Sequence, residues 1–330
     1  MNRDSVVVVT GASSGVGRAV VRAFGAKKAR IGLIARNAEA LEHAADEVRS
    51  AGGEALVLPC DVADAEAVER AASLVEERFG PIDVWVNDAM VTVMSPVKEM
   101  KPDEFRRVTE VTYLGTVHGT LAALHRMLPR DRGTIVQIGS ALAYRSIPLQ
   151  SAYCAAKAAI RGFTDALRSE LIHDRSRVRL TMLQLPAVNT PQFDVSRSRM
   201  PRHPQPVPPI YQPEVIARAV LYASKHAPRE LWIGGSAIKA IVGQRVIPGL
   251  LDRYLGRTGY EAQQTKVSVS GDRSDNLFQA VPGDRGAHGD FDGRSRSHSV
   301  ELWARTHRRG LATATLAATA ALAAIVGRRR

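Results

Sequence analysis

Cysteine is nearly missing from this 330-residue chain: Cys60 and Cys154 are the only two, with no CxxC pair and no His/Cys spacing of the metal-binding kind. That excludes a disulfide-framed fold and leaves no zinc motif, so no metal is expected. An apolar run long enough to cross a bilayer is lacking near the C-terminus, where the uncharged LATATLAATAALAAIV would form a helix of roughly 24 Å at ~1.5 Å per residue, against a hydrocarbon core of ~30 Å. Room for a cleaved leader is lacking at the other end, because the first strand begins by about Ser5; a cytoplasmic location is expected. The net charge of +12 comes without interleaved aromatic and basic residues, so nucleic acid is not an expected partner. Instead the charge gathers at the end, where Arg305, Arg308, Arg309, Arg328, Arg329 and Arg330 flank the alanine-rich stretch. Residues 301–330 are expected to form a basic, alanine-rich helix that either packs on protein or attaches to the inner face of a membrane carrying anionic lipid.

What is present is a regular alternation. Apolar strands are expected near 5–10, 30–35, 54–60, 82–87, 133–139, 178–185 and 230–233, separated by helical stretches. This is the pattern of an α/β fold with a Rossmann-type doubly wound parallel sheet, followed by a C-terminal extension. The first strand, SVVVVT, runs straight into GASSGVG and then into the helical RAVVRAFGAKK. Gly11 suits a tight turn, Gly15 a close approach to phosphate and Gly17 close packing of helix on strand, with the helix N-terminus facing an anion. Farther on, Tyr153 and Lys157 stand one helical turn apart, and Ser140 lies thirteen positions upstream of the tyrosine. An ammonium beside a phenol is expected to lower the phenol pKa, giving a general acid or base next to a hydroxyl that orients a carbonyl oxygen.

In this order the motifs resemble the short-chain dehydrogenase/reductase family from about Ser5 to Trp232. TGASSGVG at 10–17 is similar to that family's cofactor loop, which implies cofactor contacts from Gly11, Ser13, Ser14, Gly15, Val16 and Gly17. Asp61 and Val62 resemble the pair that meets the adenine, and Asn87 and Ala89 in VNDAM match the family's NNAG segment. Ser140, Tyr153 and Lys157 match its catalytic positions, with Tyr153 and Lys157 also facing the cofactor. Pro186, Val188 and Thr190 in LPAVNT resemble the segment beside the nicotinamide. Three departures stand out. The family's catalytic asparagine falls on Thr112, which is expected to hold a relay water; Asp88 and Met90 alter NNAG; and Ala187 replaces a glycine.

The resemblance implies an oxidoreductase that moves a hydride between a nicotinamide cofactor and a small carbonyl or alcohol, with reduction the expected direction. The second strand ends in Ala35-Arg36 with no carboxylate, and Arg36, helped by Arg18, suits a 2′-phosphate, so NADP (NADPH) is expected over NAD. The alternative, prompted by Thr112, Asp88 and Met90, is a catalytically weak nucleotide-binding regulator or a membrane-recruited scaffold on the same fold. Residues 1–255 are expected to be the catalytic unit and 256–300 a low-complexity linker, in which only NLFQAVPGD is suited to local docking. The proline-rich stretch 187–213 is expected to be a substrate lid whose Arg197, Arg199 and Arg202 are solvated. A lipophilic substrate fits a membrane-leaning tail, and the family's habit implies a homo-oligomer.

Overall fold

The computed structural model describes residues 5–269 and 273–307. Seven strands form one sheet: β1 (Val6–Thr10), β2 (Arg30–Ala35), β3 (Glu54–Pro59), β4 (Val84–Asn87), β5 (Thr134–Ile138), β6 (Arg179–Gln184) and β7 (Glu230–Trp232). Their order is β7-β6-β5-β4-β1-β2-β3 and every pairing is parallel. The order reverses between β1 and β4, and it is at such a point that an open α/β sheet leaves a crevice for a ligand.

The pleat explains why the strands are apolar throughout. In β1, Val7 and Val9 face one core while Val6 and Val8 face the other. The first core receives α1 (Gly15–Gly25), α2 (Ala38–Ser50) and α8 (Pro213–His226), through residues such as Phe24, Leu41 and Val220. The second receives α3 (Ala65–Phe79), α5 (Gly115–Met127) and α6 (Ser151–His173), through Val75, Ala123 and Leu167. Each fully buried valine or leucine contributes about 1.5–3 kcal/mol, so a strand buried on both faces can carry no polar alternation.

Two shorter helices are α4 (Pro102–Val108), continued by a wider helical turn over Thr109–Leu114, and α7 (Gln192–Val195), which lies within the proline-rich stretch 187–213. The apolar residues at helical spacing from Ile238 to Leu255 divide at Ile247 between α9 (Gly235–Val246) and α10 (Pro248–Ala262), because Pro248 takes the first position of a new helix. The expected boundary at 255 therefore falls inside a helix.

The structure also differs from the expectation of a linker. Gln264–Ser268 pairs antiparallel with Arg202–Pro204, and Ser295–Arg296 pairs parallel with Ile210–Tyr211. Helix α11 (Val300–Thr306) then buries Leu302 in the first core and sends Arg305 Nη1 to the Glu230 carbonyl at 3.3 Å. Composition misleads here because small and charged residues dock by hydrogen bonds rather than by a core of their own. The lid arginines are likewise not free cations: Arg197 and Arg199 bond the buried Glu104 at 3.0 and 2.7 Å, and Arg202 bonds Glu261 at 2.6 Å. Most of the alanine-rich tail, residues 308–330, lies outside the described residues. Among the described residues no helix is long and apolar enough to cross a membrane.

Candidate active site

A cavity of about 700 Å³ opens at the carboxyl ends of β1, β4, β5 and β6. Its floor is the glycine loop. Gly11 has φ of +73°, and a Cβ there would lie 3.0 Å from the backbone of Ala89. At Gly17 a Cβ would lie 2.1 Å from the Gly11 carbonyl oxygen, so only glycine lets α1 start this close to β1. Thr10 Oγ1 accepts from the amides of Asp88 and Ala89 at 3.1 and 3.2 Å, which ties the loop after β4 to the loop after β1. Ser13, Ser14, Gly15 and Val16 line the cavity at the N-terminus of α1, whose first turn has no acidic residue. Backbone donors and the positive helix end therefore meet a surface fit for phosphate, and a dinucleotide's pyrophosphate suits this cradle.

Arg36, Asp61, Val62 and Ala89 line the same cavity, as do Pro186, Val188 and Thr190 on the opposite wall. Two of the expected polar groups have partners within the chain. Arg36 donates to the carbonyls of Asn276 and Leu277, at 2.5 and 3.4 Å, and burial lowers its pKa. Asp61 pairs with Arg107 and accepts from the Ala63 amide at 3.0 Å. Arg18, expected to assist Arg36, is 1% exposed and bonds Glu47, Asp284 and the carbonyls of Ser13 and Ala40. It braces the loop from behind rather than reaching a ligand.

Ser140, Tyr153 and Lys157 come together on the cavity wall. The tyrosine and the lysine share one face of α6, while Ser140 follows β5, in extended backbone, and its Oγ accepts from the Leu142 amide at 3.1 Å. Lys157 Nζ donates to the Ile138 carbonyl at 2.6 Å and sits 5.6 Å from the centroid of the Tyr153 ring. Burial pushes the Tyr153 phenol above its ordinary value, against the opposing hydrogen bond from Ser140. The expected lowering of this phenol by its lysine is thus not what the structure gives. The ammonium is itself desolvated, with its pKa lowered to about 8 by burial in spite of the neighbouring Asp88. Asp88 in turn is raised to about 7 by burial, a rise tempered by Lys157 and by a hydrogen bond from the Gly17 amide.

Three expected site residues do not line the cavity: Gly17, Asn87 and Thr112. Gly17 acts through packing. Asn87 is held in a buried network, accepting from Trp85 Nε1 at 2.8 Å and donating to Gln137 and Thr120 at 2.9 and 3.1 Å. Thr112 accepts from the Val91 amide at 3.1 Å and donates to the Val91 carbonyl at 3.0 Å. Its one hydroxyl proton is thereby spent, and it cannot donate to a relay water. Asp88, which the sequence marks only as a variant of NNAG, is the polar group that faces the cavity from this strand end.

The cavity lining also includes the apolar Leu142, Ile147, Phe193, Val207, Leu251 and Tyr254, with Arg145, Gln150, Gln205, Lys239 and Gln263 among them. No grouping of His, Cys, Asp and Glu suited to a metal occurs among the described residues. Cys154 is buried with a raised pKa and is a packing residue rather than a nucleophile.

Comparison with known proteins agrees with this architecture. The family model described as short chain dehydrogenase matches residues 5–200. The uncharacterized oxidoreductase YxnA of Bacillus subtilis (strain 168) is 31% identical over 309 residues, covering 92% of this chain and 86% of that protein. Dehydrogenase/reductase SDR family member 7B of Bos taurus is 41% identical over 175 residues, 51% of this chain, which there spans only 54% of its relative. Among solved structures, an alcohol dehydrogenase from the archaeon Thermococcus sibiricus complexed with 5-hydroxy-NADP superposes with a TM-score of 0.60 at 29% identity, covering 69% of this chain and 95% of that one. A metagenomic short-chain oxidoreductase in complex with NADP gives 0.59 at 28% identity, covering 71% and 97%. A glycine loop, a switch-point cavity and a Ser-Tyr-Lys wall recur here in the family's order, and the chain belongs to the short-chain dehydrogenase/reductase family of oxidoreductases.

Proposed function

We propose that this enzyme is an NADP-dependent reductase of a lipophilic carbonyl compound. The observation that carries the reading is that Ser140, Tyr153 and Lys157 share one cavity with the glycine loop and with Arg36. A bound nicotinamide supplies the hydride. Within the chain, the Ser140 hydroxyl orients the carbonyl oxygen, and the Tyr153 phenol, held protonated by burial, gives that oxygen its proton. The Lys157 ammonium is held by the Ile138 carbonyl, and its remaining N–H groups would serve a ribose of the bound cofactor. Asp88 balances that charge across the cavity floor. Arg36, with no carboxylate beside it on β2, favours a 2′-phosphate over a free 2′-hydroxyl. The apolar residues of the lining, Leu142, Ile147, Phe193, Val207 and Leu251, favour a substrate whose carbonyl is carried on hydrocarbon.

The same reading includes self-assembly. Leu114, Leu121 and Leu128 are exposed by 38, 44 and 42% at intervals of seven along and beside α5, an apolar stripe suited to a second copy of the chain.

Titration of the purified protein with NADPH and with NADH, followed by a panel of long-chain and short-chain ketones and aldehydes, tests the proposal. Tighter binding of NADPH and turnover that grows with the apolar size of the ketone are expected. Tight NADPH binding with no turnover over the panel would instead favour the nucleotide-binding regulator.

A further inference from the structure

Residues 273–292 cross the adenosine end of the cavity, and their contacts fall on the groups expected to meet the cofactor. The Leu277 carbonyl accepts from Arg36 Nη1 at 3.4 Å and from Arg107 Nε at 3.1 Å, the same Arg107 that pairs with Asp61. Asn37 Nδ2 donates to the carbonyls of Val281 and Gly283 at 2.8 and 3.1 Å. Asp284 takes both Nη atoms of the buried Arg18 at 3.2 and 3.3 Å. The Gly286 carbonyl accepts the Gly15 amide at 3.0 Å, at the phosphate loop itself. His288 ends the crossing between Glu214 on α8 and Asp292, at 2.8 and 2.9 Å.

The segment is tied down at points rather than embedded. Leu277 and Ala287 enter the two main cores and Phe291 packs edge-on against Phe193, whereas residues 278–280, 282, 284 and 285 are exposed. A stretch held by hydrogen bonds between small apolar anchors opens locally at far lower cost than the sheet beneath it. Asn276, Ala280, Val281, Gly283 and Arg285 nevertheless form part of the cavity wall, so the crossing is a roof over that end of the cleft.

We propose that residues 273–292 are a strap that completes the adenosine end of the cofactor site and must lift for a dinucleotide to enter or leave. This rests on the dinucleotide reading above. The strap contributes backbone carbonyls that orient Arg36, and its Arg285 lines the same cavity. Because the strap bonds the Gly15 amide and Arg36 directly, cofactor exchange is coupled to its opening.

The test uses the full chain and two substitutions outside the cavity wall. Asp284→Asn removes the charge partner of Arg18 while Glu47 remains, and Leu277→Ala weakens the opposite anchor. Release of NADPH, followed by its fluorescence after rapid mixing with excess NADP, is expected to quicken by about fivefold or more in each variant, with association quickened as well. Saturating NADPH is expected to slow tryptic cleavage after Arg285 in the unsubstituted protein. Variants that melt like the parent, bind NADPH and exchange it at the parent's rate would overturn the strap and leave the cofactor reading intact. If the parent binds no dinucleotide but a variant does, the strap stands as a plug. Failure of all three proteins to bind NADPH or NADH would remove the cofactor reading and the strap with it.

Discussion

The Tyr153 phenol is protonated at neutral pH and stands with Ser140 on the cavity wall, where its proton can reach a substrate oxygen. Tyr153→Phe is expected to lower kcat for carbonyl reduction by about 10²–10⁴-fold with the Kd for NADPH nearly unchanged, as read by steady-state kinetics beside fluorescence titration. The neighbouring Asp88 gives a stability prediction of definite sign. Its carboxyl titrates at about 7 in the folded chain, whereas an unperturbed aspartate titrates near ~3.9, so the folded state binds more protons between these values. The stability that goes with this proton is fully present below pH ~3.9 and is lost as pH rises through about 7. Lys157, lowered to about 8, adds its own dependence only above that value, where stability recovers as pH rises toward ~10.4. Asp88→Asn is therefore expected to raise the thermal midpoint by several degrees more at pH 7.5 than at pH 4, a difference on the order of 2–4 kcal/mol. Equal shifts at both pH values would mean that the carboxyl is not the titrating group.

At the scale of elements, Thr112 joins the turn before α5 to the loop after β4 through both of its bonds to Val91. Thr112→Val strands a buried amide and a buried carbonyl, and is expected to cost about 1–3 kcal/mol of stability while kcat stays within a few-fold. A collapse of kcat at an unchanged thermal midpoint would instead restore the relay role that the family pattern gives this position. The contrast shows which parts of the site are legible in the sequence. The glycine loop, and the Tyr153–Lys157 pair on α6, are local in the chain, so spacing and residue type suffice to place them. Asn87 is placed at the right strand end and Thr112 in the helical turn before α5, but their side chains turn to Trp85, Gln137, Thr120 and Val91, choices made by packing between distant elements. The strap is the least legible part. Its contacts to Arg36 span about 240 positions of sequence, and glycine, aspartate and arginine in 273–292 read equally as solvated chain. Only NLFQAVPGD, with its one deeply buried Leu277, carries a local signal that part of it docks.

The whole molecule is a sheet whose two faces are covered by helices, and an apolar stripe on the outer side of such a covering helix is suited to a second copy of the chain. Leu114, Leu121 and Leu128 are spaced so that each lies about two turns from the next and nearly above it. Their neighbours Thr116, Thr120 and Ala123 point inward and are buried, so the helix cannot roll to hide the leucines without exposing that face. A second copy related by a twofold axis would lay the same stripe against itself, which is the self-complementary contact that closed dimers use. The stripe lies on α5, whereas the strap crosses above α1 and α2, so assembly and cofactor exchange should be separable. Leu121→Glu is expected to shift the mass measured by light scattering from a multiple of the chain mass to that of one chain, while NADPH binding is retained. A parent protein that already runs at the mass of one chain, at concentrations well above those used for assay, would show that the stripe does not pair.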